Sequence, residues 1–354
     1  MARTPMSSTV QTAAQSSRRG GGAGAAWTLV FLAPFIAEVL SGATRVSYIF
    51  VFIPEVLTWG CGALIIREVV RRWRGGWPSL LMLGMGLSIA CELFIDQTSL
   101  APLPWPGAQV DYGRVWGVNW IFFLFMLGFE SVLVVLVPVR VTELIFSRRR
   151  DEPWLRTRGL VITSLIFLLG SFIAWYAWIK RARPMMLHVP EYRPAAITLA
   201  AAGVAIAVLA VEAYLMRGVG RTVASRHTPA AWVVGLVALA LGFPWYALLR
   251  LQFSEKPPSV PFGMALAVGV AWAGIAYLLI RRWTSSPQWS DLHRWALAFA
   301  ATLVCMVAGF DGSDTWLRMD LIGKIVLNAI ALVGFLMLLR SLSRRGEGVA
   351  EQRI

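Results

Sequence analysis

Five carboxylates within the first 130 residues stand where acids are costly. Glu38, Glu55, Glu92 and Glu130 each interrupt an apolar run, and Asp96 follows Glu92 by four residues. An acid at the centre of a bilayer costs about 2.5 kcal/mol or more on insertion scales, so acids in such runs face a bundle interior or water and mark candidate sites. Carboxyl groups gathered out of water cannot all stay ionised, and a cluster of that kind can exchange protons or hold a cation. If they are kept apart, the same acids only hydrogen-bond between helices, with Ser88, Thr58 or Ser131 as partners.

The elements that must position these acids are membrane helices. Residues 77–97 carry Glu92 and Asp96 on one helix face, and about 20 apolar residues rising ~1.5 Å each cross the hydrocarbon core. Further spans are read at about 27–43, 48–70, 119–146, 159–179, 195–216, 230–251, 262–280, 292–310 and 321–339. The expected fold is therefore an all-α polytopic bundle of about ten spans. Glu38 and Glu130 are expected near mid-membrane, with Glu55 and Glu92 in the outer half.

Four regions follow from the pattern. Residues 1–26 read as a disordered cytoplasmic tail, 27–150 as a four-span acid-containing half, 151–340 as a six-span apolar half and 341–354 as a second tail. In the apolar half Glu212 is the one acid expected to be buried. Pro102, Pro104, Pro106 and Gly107, with Trp105 and Trp116, predict an irregular outer loop that caps the bundle or forms an interfacial aromatic belt. Pro138 is expected to kink the fourth span. At the inner helix ends, Arg67, Glu68, Arg140 and Glu143 are spaced to form structural ion pairs.

Composition excludes several classes. Hydrophobic residues make up 57% of the 354 and charged residues 15%, against the usual quarter in soluble domains. The partner these numbers imply is the lipid bilayer. The net charge of +14 does not point to nucleic acid, because no basic stripe is interleaved with exposed aromatics. Of the 33 basic residues, 21 fall in the tails and even-numbered linkers and 10 in the odd-numbered ones, with Arg67 and Arg140 inside helices. That bias places both termini in the cytoplasm and the protein in the cell membrane. A tag in the 148–158 linker should then stay unlabelled by impermeant reagents on intact cells, while one near Gly107 reacts; labelling of the linker from outside would reverse the arrangement.

No cofactor is implied, and no metal ligand set is evident. His188, His227 and His293 lie apart from the acids, and Cys61, Cys91 and Cys305 have no metal-ligand spacing. H-E-x-x-H, G-x-S-x-G and P-loop signatures do not occur in the sequence.

Gly62-Ala63-Leu64-Ile65-Ile66-Arg67-Glu68, Gly76-Trp77-Pro78 and the run from Tyr112 to Trp120 (YGRVWGVNW) together resemble a group of uncharacterised bacterial multi-pass membrane proteins. That resemblance covers roughly the first 150 residues and implies no activity. A more distant resemblance is to the CPBP (Abi, type II CAAX-protease-like) intramembrane peptidases, whose signature pairs two glutamates with an arginine four residues after the second. Glu92 matches the second glutamate. Cys91 stands at the first, Asp96 at the arginine, and no histidine precedes His188 to serve the family's F-x-x-x-H motif.

Three functional readings follow. The leading one is binding or transport of a small solute, cation or proton at Glu38, Glu55, Glu92, Asp96 and Glu130. The alternatives are a CPBP-like peptidase, in which Glu92 would activate water, and a non-catalytic structural membrane partner.

Overall fold

The computed structural model describes residues 22–103, 108–189, 191–218, 227–253, 256 and 258–351, with side chains as far as 345. Among these residues ten helices are long and apolar enough to cross a membrane. They are α1 Gly22–Val39, α2 Val46–Arg72, α3 Trp77–Ile95, α4 Trp120–Ile145, α5 Thr157–Met186, α6 Ala196–Gly218, α7 Ala231–Gln252, α8 Phe262–Thr284 and α9 Asp291–Ala308. The tenth, α10, runs Arg318–Glu351. The only strands among the described residues are the two-residue pair β1 Arg114–Val115 and β2 Val118–Asn119.

Both ends of the chain depart from the expected tails. Helix α1 starts at Gly22, inside the stretch read as disordered, and positions 1–21 lie outside the described residues. Small residues are what let it pack: Ala25 and Ala26 are buried, and a Cβ on Gly22 would lie 2.9 Å from the Trp154 carbonyl. At the other end α10 continues through the second expected tail to Glu351, and 352–354 lie outside the described residues.

The bundle has one arginine-rich end. Arg72 donates to Leu155 O at 2.8 Å, Arg150 to Asp291 at 2.6 Å and Arg345 to Leu144 O at 3.2 Å. The start of α1, beside Trp154, and the end of α10, at Arg345, both lie at that end. Burial differs between helices: the spans of α1–α4 are 44–67% buried, those of α5–α8 only 11–17%. Exposed Leu165, Leu168, Val204, Val208, Val268 and Ile275 make the outer helices apolar outward, as a lipid solvent requires and water would oppose.

The core is built around α1, whose Leu29, Ala33, Ile36 and Ala37 are almost wholly buried. Pro34 has no N–H, so the Val30 carbonyl loses its helical donor. Gly60 of α2 lies against that carbonyl, so close that an added Cβ would sit 2.0 Å from it. α4 stays helical through Pro138, and a π-turn over Ser131–Leu136 directly precedes it.

At the end opposite the arginines, the loop read as irregular contains a hairpin. Trp116 and Gly117 turn it with positive φ values of 52° and 77°, the geometry that two-residue hairpins favour. Asn119 closes the loop by accepting from Phe122 N at 3.0 Å as the cap of α4, while its own N–H donates to Ser99 O at 2.8 Å. Pro104, Trp105, Pro106 and Gly107 lie outside the described residues.

Candidate functional site

Each of the four glutamates lies in a π-turn or at its edge. Glu38 falls within the π-turn Phe35–Val39 that ends α1, and Glu92 within Cys91–Ile95 that ends α3. Glu55 immediately precedes Val56–Gly60 in α2, and Glu130 immediately precedes Ser131–Leu136 in α4. A π-turn inserts a residue into the 3.6-residue repeat and re-aims the side chains around it, and such turns recur at functional sites. The apolar pattern of these helices therefore serves lipid and core packing while the inserted turns direct acids inward.

The carboxyl groups lie within electrostatic reach of one another. Glu38 interacts electrostatically with Glu92 and Glu55, and Glu130 with Glu92 and Asp96. Asp96 also interacts with Glu55 and Glu38, which links all five. Glu55, Glu92 and Glu130 are buried, whereas Glu38 and Asp96 retain accessible surface. Glu38 lies one residue from the end of α1, which runs Gly22–Val39 where hydropathy predicts about 27–43.

Glu92, Glu55 and Glu130 each have hydrogen-bond donors of their own. Glu92 Oε2 accepts from Thr98 Oγ1 at 2.7 Å and from Ser99 Oγ at 2.6 Å. Thr44 donates to Glu55 Oε1. Trp59 Nε1 donates to Glu130 Oε1 at 3.4 Å, while the Ser88 hydroxyl donates to Met126 O at 3.1 Å. The second oxygens of Glu55 and Glu130 are buried without a hydrogen-bond partner, an arrangement that costs about 1–3 kcal/mol unless a proton or ligand meets it.

None of the three hydroxyls expected to serve the acids donates to one; Ser88 is taken by Met126 O. Ser131 turns back to Leu127 O at 2.6 Å within its own helix, and Thr58 Oγ1 is buried without a partner. The donors that sequence reasoning missed, Thr44, Thr98 and Ser99, sit in the connections after α1 and α3, where ordinary loop polarity conceals a role. In the second half the expected buried acid, Glu212, is exposed. Asp320 is buried instead: its two oxygens accept from Ser47 N at 2.8 Å and Ser47 Oγ at 2.9 Å, tying α10 to the start of α2.

Arg67, Glu68, Arg140 and Glu143 lie at the opposite end. Arg67 and Glu68 are fully buried and paired at 2.9 Å; Arg140 pairs with Glu143 at 2.9 Å, and Arg67 Nε lies 3.5 Å from Glu143. Arg71 also pairs with Glu143. These four residues belong to helix and linker packing, away from the carboxylate group. Among the described residues no three His, Cys, Asp or Glu side chains are placed to share a metal ion.

The profile of an uncharacterized membrane protein family matches residues 28–345. Neither a curated protein nor a solved structure matches the chain.

Proposed function

The chain belongs to that uncharacterized membrane protein family, and from its own geometry we propose that the five acids form one intramembrane site that binds and exchanges protons, with a small cation as the alternative occupant. The observation that carries this reading is the electrostatic linkage of five carboxyl groups from two π-turned helix ends and two helix interiors, two of whose oxygens have no partner. Like charges at short range in a water-poor interior do not all persist, so such a group shares protons among its members. A proton needs only two facing oxygens, whereas a preformed metal site needs three or more ligands at fixed distances. Glu38 and Asp96 supply the accessible edge through which exchange would run, and Glu92 is their common neighbour. Binding at such a site is the elementary step of proton- or cation-coupled transport. With the termini on the cytoplasmic side, as the arginine bias favours, the accessible edge would face outward.

Purified protein subjected to a pH jump across neutrality, followed by infrared difference spectroscopy of the protonated carboxyl band, tests this. Glu92→Gln should remove or shift most of the signal, and Glu38→Gln part of it. Both variants should keep their melting temperature within a few degrees, since glutamine has nearly the shape of a protonated glutamate and can donate as it does. A carboxyl signal unchanged in Glu92→Gln and Glu38→Gln would leave the acids as separate hydrogen-bonding groups.

A further inference from the structure

Two adjoining cavities at the arginine-rich end differ in chemistry. One, of about 540 Å³, is a basic cup lined by Arg71, Arg74, Arg140, Arg150, Arg217 and Arg294, with only Glu143 and Asp151 as opposing charges in its wall. The other, of about 590 Å³, is an apolar groove between α3, α4, α7, α8 and α9. Its wall includes the aromatic rings of Trp245, Tyr246, Trp272, Tyr277 and Trp283. Trp77, Arg140, Thr284 and Arg294 line both, so cup and groove are continuous. Trp77 Nε1 donates to Thr284 Oγ1 at 2.9 Å, which fixes the junction between α3 and α8. Arg140 and Arg294 are held by Glu143 and Asp291 yet keep 24% and 31% of their side-chain surface accessible.

We propose that this composite cavity is a binding site for an anionic phospholipid, with the phosphate headgroup in the arginine cup and an acyl chain in the groove. Charge complementarity selects the occupant. Six guanidinium groups against three carboxylates, Glu143 and Asp151 in the wall and Asp291 behind Arg150 and Arg294, leave a positive excess that attracts a phosphate, and arginine's forked donors match its oxygens. An aromatic and aliphatic channel leading from that cup toward mid-membrane suits a hydrocarbon chain and offers nothing to a soluble anion. The volumes fall in the ~300–1,000 Å³ range of ligand sites, and basic pockets between membrane helices take anionic headgroups. The site is at the opposite end of the bundle from the carboxylates and does not depend on their role.

Native mass spectrometry of the full-length protein in detergent, titrated with phosphatidylglycerol, phosphatidylcholine or glycerol phosphate, tests the proposal. Phosphatidylglycerol should bind about tenfold or more tighter than phosphatidylcholine, and glycerol phosphate should not bind measurably at the same concentrations. Arg294→Gln should weaken phosphatidylglycerol about fivefold and leave phosphatidylcholine unchanged, one surface arginine being removed. Ala273→Trp, at an exposed groove position, keeps the cup intact and should weaken phosphatidylglycerol by obstructing the chain. Equal binding of the two lipids, a preference that survives both substitutions, or binding of glycerol phosphate as strong as that of the lipid would overturn it.

Discussion

Arg67→Met should destabilise the protein by about 3–5 kcal/mol, the loss typical when one partner of a buried ion pair is removed. Arg67 is completely buried and binds four groups besides its ring contact: Glu68 at 2.9 Å, Glu152 O at 2.7 Å, Arg149 O at 3.3 Å and Arg150 O at 2.8 Å. Its guanidinium also lies over the Trp154 ring at 3.5 Å. Glu68 completes the clamp by accepting from Trp154 N at 2.8 Å and Leu155 N at 3.0 Å. The pair therefore ties the linker between α4 and α5 to the end of α2, and methionine would leave the Arg150 and Glu152 carbonyls without donors, while Arg149 O keeps Trp154 Nε1 at 3.0 Å. Arg67→Lys should recover only part of the loss, because one ammonium cannot match the planar fork. Thermal unfolding in detergent, with a double-mutant cycle through Glu68→Gln, measures this. A loss below about 1 kcal/mol, the scale of surface pairs, would show that the linker is held by other contacts.

Gly60→Ala should cost about 1–3 kcal/mol or more from overpacking, and it should disturb the carboxylate group as well. The added methyl would sit 2.0 Å from Val30 O and 2.9 Å from Val30 C, so backbone must yield, not a flexible side chain. Gly60 has ordinary helical backbone angles, so the effect is steric separation of α1 from α2. Those helices carry Glu38 and Glu55, and their separation should reduce the protons taken up in the infrared experiment even under conditions where the variant stays folded. Gly203→Ala is the control: nothing lies within 4 Å of its added methyl, and its stability should change by no more than about 0.5 kcal/mol. Equal melting curves for the two variants would show that α1 and α2 do not meet as closely as this crossing requires.

Hydropathy and length determined that the chain is all helical, that it has ten spans, and where most of them run, because the bilayer demands about 20 apolar residues with every backbone group satisfied. Residue type also singled out Glu38, Glu55, Glu92, Asp96 and Glu130, since an acid inside an apolar run is costly wherever the helix packs. Only tertiary structure decided that these acids lie within electrostatic reach of one another. A 3.6-residue repeat gives each side chain a direction relative to its own helix, and the π-turns beside Glu38, Glu55, Glu92 and Glu130 alter those directions without changing composition. The donors to Glu92 come from Thr98 and Ser99, loop residues placed when the chain turns back after α3. The start of α1 at Gly22 was likewise a tertiary outcome: glycine and alanine have little apolar surface to register in hydropathy, yet against the Trp154 backbone their small size permits the contact. Asp320 and Glu212 show the same limit, since hydropathy sets Glu212 inside a span and Asp320 just before one, yet the partner Ser47 makes Asp320 the interior group.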